Sequence, residues 1–209
     1  LSLARDRVGE KPLYYGHING DFIFASELNA IKEYPNCRLE LSKKAVDEYL
    51  RYSFVPTPLS IYEGIYKLTP GVIRTFAYPY TEYTDEVYYD LREEYIRGQA
   101  NLFDGSYEEA VDELDLVLKA AVKSELMSDV PLGAFLSGGI DSATIVSLMQ
   151  SISDTPVKTF TIGFEEKAYD ESEYAADIAG HLGTDHTSLI INERKLENVI
   201  PLLPSICSE

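Results

Sequence analysis

Ser137-Gly138-Gly139-Ile140-Asp141-Ser142 stands between a short apolar run, Leu132 to Leu136, and a helix-like run, Ala143 to Gln150. Two glycines at the exit of a strand let backbone amides approach an anion closely. The helix that follows directs its free N–H groups and positive dipole end at the same point. The Ser137 and Ser142 hydroxyls add donors, and Asp141 can hold a metal ion bound to that anion. The stretch is expected to form a phosphate cradle.

Working outward, the sequence after Pro131 reads β-α-β-α-β. The expected strands are Leu132 to Leu136, Val157 to Phe164 and Thr187 to Ile191. Helices are expected from Ser142 to Ile152 and from Glu171 to Leu182, with a last one starting near Asn192. Near-continuous apolar strands alternating with amphipathic helices argue for an α/β fold with a doubly wound parallel sheet. Ligands of such sheets lie beyond the carboxyl ends of the strands, where Ser137 stands.

The kind of cradle decides the chemistry. A Walker loop needs G-x-x-x-x-G-K-[ST], and no lysine lies between Met127 and Gln150. S-G-G-x-D-S instead resembles the PP-loop of ATP pyrophosphatases, which grip the β,γ-diphosphate and cut between the α- and β-phosphates. The plainer reading is a Gly-Gly turn with a serine or aspartate helix cap. The strand–loop–helix context favours the cradle.

The front of the chain reads differently, as an α+β part. Strands are expected at Leu1 to Ala4, Leu13 to Tyr15 and Phe22 to Ala25, with Asn19-Gly20 favouring a hairpin. Glu27 to Lys32 reads as a short helix. A second runs from Lys43 to Arg51, with Ser42 as N-cap and Ala45, Val46, Tyr49 and Leu50 on one face. Tyr66 to Phe76 holds a turn at Pro70-Gly71 and then a strand. From Ala77 to Gly105 no clean period emerges, and one helical turn near Glu93 is all that is expected. Ser106 with Glu109 forms a capping box, and Val111, Leu114, Leu118, Ala121, Val122 and Leu126 form the expected buried stripe.

Bulk properties narrow the function classes. The 209 residues carry a net charge of −17, with 35 acids against 18 bases, and 45% apolar content suffices for real cores. No basic stripe exists to neutralise phosphates, so a general nucleic-acid surface is not expected. Fourteen acids and four bases fall between Glu82 and Asp129, read as a solvated helix face plus an acidic linker. Cys37 and Cys207 form no pattern with the three histidines, so neither a disulfide framework nor a zinc site is expected; a reducing cytoplasm is the default. No run of 18 apolar residues suggests a membrane span, and no charged-then-apolar leader is present.

Taken together, these segments resemble the glutamine-dependent asparagine synthetase family across nearly all the chain. Leu3-Ala4-Arg5-Asp6 with Gly9, Pro12, Leu13 and Tyr14 is similar to the family's "LARDxxGxxPLY". Phe24-Ala25-Ser26-Glu27-Leu28 with Ala30, and Leu68-Thr69-Pro70-Gly71, resemble two later segments of its glutaminase domain. Ser128 to Gly133 leading into Leu136 to Ser142, then Phe160 to Phe164, then Leu182-Gly183-Thr184 with His186, resemble its synthetase domain.

The resemblance implies residues 1–76 as the remainder of an N-terminal-nucleophile glutaminase domain, 77–105 as a linker, and 106–209 as the start of an ATP-binding synthetase domain of the PP-loop type. It implies release of ammonia from glutamine and conversion of aspartate with Mg-ATP to a β-aspartyl adenylate. Ammonia attack then gives asparagine, AMP and pyrophosphate. Leu136 and Ile162 would contact the adenine and ribose side through backbone groups. Ser137, Gly138, Gly139 and Ser142 would hold the pyrophosphate portion, and Asp141 would help bind magnesium. The implied partners are small molecules, ATP, aspartate and glutamine, without nucleic acid or membrane; the sequence leaves the oligomeric state open, a homodimer included.

The departures matter equally. The family's glutaminase cysteine follows the initiator methionine, and neither Cys37 nor Cys207 matches it, so no catalytic residue is assigned here. Cys37 is expected to be a semi-buried small side chain. The chain reads as a piece of something longer, with Met-Cys expected upstream and a second glycine-serine-acid loop expected after Glu209. As a fragment it is expected to be inactive.

Other residues have plain readings. Asp170 to Glu173 spells a helix capping box as well as a metal-assisting pair, and the box is preferred. His186 is read as a loop hydrogen-bonding residue. Tyr78, Tyr80, Tyr83, Tyr88 and Tyr89 are read as interdomain packing, not as a base-stacking surface. Two alternatives stand beside the leading function: a related amidotransferase or β-lactam-forming enzyme acting on another carboxylate, and a non-catalytic nucleotide-binding scaffold.

Overall fold

The computed structural model describes residues 1–168 and 170–207, which divide into two units, 1–102 with 202–207 and 103–201. In the first unit, β1 (Ser2–Ala4) is followed by β2 (Tyr14–Ile18) and β3 (Asp21–Ala25). Asn19 and Gly20 both hold positive φ, +54° and +92°, as the tight turn of the β2–β3 hairpin demands. The register places Tyr15 opposite Phe24. Two helices follow, α1 (Leu28–Lys32) and α2 (Lys43–Tyr52), then β4 (Ile65–Lys67), β5 (Val72–Ala77), β6 (Glu82–Val87) and α3 (Leu91–Ala100).

Two antiparallel sheets result, ordered β3-β2-β4 and β1-β5-β6. Successive side chains of a strand point to opposite faces, so β2 feeds two cores. Tyr15 packs with Leu3, Leu68, Val72 and Phe76 of the second sheet and its approach. Tyr14 and Ile18 pack with Leu28 and Ile31 of α1 and with Ile65. Cys37 lies half-buried against this second cluster, as expected.

The Arg5-Asp6 segment proves to be a backbone clasp. The Arg5 guanidinium donates to the carbonyls of Leu68, Gly9 and Lys11. The Asp6 carboxylate accepts from the N–H groups of Val8, Glu10 and Lys11, which holds its pKa below the usual range, the Lys11 bond contributing most.

Arg74 of β5 forms a bidentate pair with Asp85 of β6 at 2.7 and 2.6 Å and lies 3.7 Å from the Tyr83 ring centroid. It also donates to the Tyr15 hydroxyl. The Arg74 bonds hold the Asp85 carboxyl below its ordinary range. A depressed carboxyl stabilises the fold above its unfolded pKa and loses that contribution as pH falls through the folded value. Urea midpoints of the first unit should therefore hold from pH 7 to about 5 and fall below about 4. Arg74→Met should lower the neutral midpoint and flatten the part of the acid limb that Asp85 supplies.

Sequence expectations fail here where burial is missing. The stretch 77–105, where one helical turn near Glu93 is expected, carries the whole of α3 around that residue and also β6, which is not expected. Every residue of β6 is exposed, and α3 buries none, so neither leaves an apolar period to read. Of the four residues expected on the face of α2, Ala45 is buried and Val46 half-buried, whereas Tyr49 and Leu50 are exposed, Leu50 by 78%. Among the grouped tyrosines, Tyr80 packs on Phe22, Tyr83 on Phe76 and Arg74, and the Tyr88 hydroxyl donates to the Arg5 carbonyl. These contacts are internal to the first unit.

The second unit begins with α4 (Tyr107–Glu125), headed by the expected Ser106–Glu109 capping box. Then come β7 (Gly133–Phe135), α5 (Ile140–Ser151), β8 (Lys158–Phe164), α6 (Ser172–Leu182), β9 (Asp185–Ile191) and α7 (Glu193–Val199). The three strands form a parallel sheet in the order β7-β8-β9. Helices α5 and α6 share one face over Ala134 and Leu136, burying Val146, Ala175 and Ala179. On the other face Phe135, Phe160, Ile162 and Leu189 are exposed. Only part of the α4 stripe is covered, near its C-terminal end: Val122 is buried with Leu148 and Met149, Leu118 and Leu126 pack against them, and Val111, Leu114 and Ala121 are exposed. No helix among the described residues is long and apolar enough to cross a membrane.

Candidate functional site

β7 ends at Phe135 and α5 starts at Ile140, so residues 136–139 make the turn between them. Gly139 is the N-cap of α5, with no side-chain cap. The first-turn amides of Ile140, Asp141 and Ser142 have no intrahelical acceptor and face outward from the helix end. The exposed loop is held by its own hydroxyls. Ser142 Oγ accepts from the Ser137 N–H at 3.1 Å and lies 2.8 Å from Ser137 Oγ, which accepts from the Gly139 N–H at 3.2 Å. Asp141 is exposed on the first turn of α5.

The two glycines have different reasons to be glycine. A Cβ on Gly138 would come within 3.0 Å of the Tyr174 Cβ of α6, so helix packing crowds this position. A Cβ on Gly139 would meet only Ser137 Oγ, at 3.2 Å. Little in the fold requires its bareness, and a side chain there would stand against the Ser137 hydroxyl.

Beside the loop lies a cavity of about 370 Å³, whose lining includes Leu136, Ser137, Ser142, Ile162 and Glu171. The structure thus brings four of the seven expected site residues to one cavity, with Gly138, Gly139 and Asp141 in the adjoining loop. Leu136 is buried; its N–H donates to the Phe160 carbonyl at 2.9 Å, and its carbonyl accepts from the Thr161 hydroxyl. One carbonyl lone pair is what it has left for a ligand. Phe160 directs its main-chain groups at β7, and Ile162, two residues on, directs its own to the same side. There β7 has already ended, so Ile162 faces the gap.

Asp170 departs from the expected capping box. It accepts from the Ser172 and Phe164 N–H groups, not in reciprocal exchange with Glu173. The Ser172 side chain first, and then these backbone N–H groups, hold its carboxyl below the usual range. It ties the end of β8 to the start of α6. His186 lies within β9, with Nδ1 2.9 Å from the buried Thr159 hydroxyl and Nε2 3.1 Å from Ser188 Oγ. Its polar contacts are structural; it hydrogen-bonds as expected, but from within a strand and not from a loop. Thr161 and Glu171 are read from the sequence only as parts of a strand and a helix, not as site residues; a carboxylate directly after the capping Asp170 looks like any acidic helix start.

Two domain families match the chain in order. The glutamine amidotransferase domain matches residues 1–89, and asparagine synthase matches residues 113–209. A putative glutamine-hydrolyzing asparagine synthetase of Methanocaldococcus jannaschii is 37% identical over 201 residues, covering 94% of this chain and 37% of the relative. A glutamine-hydrolyzing asparagine synthetase of Bacillus subtilis is 33% identical, covering 95% of this chain and 30% of the relative. A Gibberella zeae protein named amidase chry2 is 29% identical, covering 94% of this chain and 30% of the relative. The chain spans about a third of the length of these curated relatives. Its first part therefore belongs to the glutamine amidotransferase domain family, and its second to the asparagine synthase family.

Proposed function

We propose that the 137–142 loop binds the diphosphate tail of ATP, and that the protein to which this chain belongs makes asparagine from aspartate with glutamine-derived ammonia. The observation that carries this is the bare Gly139 beside clustered serine hydroxyls and free helix amides, next to the cavity at the ends of β7 and β8. Ser137, Gly138, Gly139 and Ser142 hold the pyrophosphate portion. Ile162, and Leu136 through its remaining lone pair, border the adenine and ribose side. Asp141 would hold magnesium, which neutralises phosphate charge when bound.

Adenylyl transfer asks little covalent chemistry of the protein, so positioning and charge stabilisation carry the rate. The aspartate β-carboxylate attacks the α-phosphorus and pyrophosphate leaves; ammonia then attacks the adenylate carbonyl and releases AMP. Residues 1–76 are read as glutaminase, 77–105 as connector and 106–209 as the ATP-binding part, in a cytoplasmic setting. The open apolar face of Phe135, Phe160 and Ile162 suits a sheet of the doubly wound PP-loop type, with further elements covering it.

The test is product analysis of the complete protein with glutamine, aspartate and Mg-ATP. Asparagine, AMP and pyrophosphate should appear in equal amounts. The similarity to fungal amidases favours one second reading, a different acceptor carboxylate. Pyrophosphate release that ignores aspartate would select it. Ser142→Ala should weaken ATP binding about tenfold, by removing the hydroxyl that ties the loop together.

A further inference from the structure

Glu171 has no part in the reading above, and three observations single it out. It lines the cavity at the ends of β7 and β8, and among the described residues it is the one ionisable side chain in that lining. It stands against the phosphate loop, its Cβ 3.7 Å from where a Cβ on Gly138 would sit. It is the N-cap residue of α6, yet its side chain makes no capping bond. Asp170 serves the helix start instead, through the Ser172 N–H. The Glu171 carboxylate is thus left to the cavity.

A carboxylate beside a polyphosphate repels it unless a donor or a cation lies between. A nucleotide with its phosphates at 137–142 and its base toward Ile162 places its sugar between them, beside Glu171. Ribose presents two vicinal hydroxyls, both donors, and a carboxylate accepts from both. An acid after a second strand reads ribose hydroxyls by the same chemistry in dinucleotide-binding sheets.

We infer that Glu171 binds the ribose 2′- and 3′-hydroxyls and makes the site selective for ribonucleotides. The inference rests on the nucleotide reading of the 137–142 loop. The test is titration of the whole chain, wild type and Glu171→Ala, with Mg-ATP and with 2′,3′-dideoxy-ATP.

The wild type should bind ATP about tenfold more tightly than the dideoxy nucleotide, as suits hydrogen bonds to a charged group. Glu171→Ala should lose that ratio by weakening ATP alone, and Glu171→Gln, keeping one acceptor, should fall between. All three should melt alike, because the side chain neither caps nor packs. A ratio that survives in Glu171→Ala would overturn the inference, and so would equal weakening of both nucleotides, which would put Glu171 on the phosphate or cation side. A wild type that binds both equally would sink the inference alone. One that binds neither would sink the nucleotide reading with it.

Discussion

Gly71→Ala should cost about 3 kcal/mol or more and leave the first unit largely unfolded at moderate urea. Gly71 has φ +68°, a region that costs an L-residue about 1–2 kcal/mol. A Cβ there would also lie 2.1 Å from the Tyr89 carbonyl oxygen, which is main chain and has no rotamer to escape into. The Gly71 N–H donates to the Asp6 carbonyl, and its own carbonyl accepts from Tyr88 and Tyr89. The residue therefore joins the Arg5-Asp6 clasp, the start of β5 and the end of β6. Gly64→Ala is the control, with φ +75° but open space around the added carbon. It should cost only the backbone strain. Equal urea midpoints for the two variants would show that the Tyr89 contact does not constrain the fold.

The second large effect has the opposite signature, with binding lost and stability kept. Gly139→Ala should shift stability by no more than about 1 kcal/mol. Alanine is a poorer N-cap than glycine, but it reduces unfolded-chain entropy by a similar amount, and φ −81° suits it. The new methyl would meet the Ser137 hydroxyl inside the cradle. ATP affinity should fall about thirtyfold or more, equivalent to roughly 2 kcal/mol. Measuring thermal midpoint and ATP affinity on the same preparation checks both halves. An affinity that matches wild type would show that the phosphates lie elsewhere.

What the sequence disclosed follows from what local chemistry can specify. The 137–142 turn was legible because glycines, hydroxyls and a helix start act within six residues. The Asn19-Gly20 hairpin and the Ser106–Glu109 box were legible for the same reason. β6 was not, and of α3 only the turn near Glu93 was, because they bury nothing and leave no periodic trace. Val111 and Leu114 misled in the other direction, as apolar residues at helical spacing whose faces are exposed among the described residues. Glu171 reads in the sequence only as a helix start, because its environment is made by Gly138, Ile162 and Phe164, which the parallel pairing of β7 with β8 brings near it. Leu136 lines the cavity beside the loop, but its N–H belongs to the sheet, a fact that only pairing reveals.

The most direct measurement is competition for a fluorescent ATP analogue bound to the chain, using ATP, inorganic pyrophosphate and AMP in magnesium buffer. If the 137–142 loop grips the diphosphate tail, pyrophosphate should displace the analogue at concentrations near those of ATP, with AMP at least about tenfold weaker. Gly139→Ala should abolish the pyrophosphate response. Displacement by AMP but not by pyrophosphate would contradict the account.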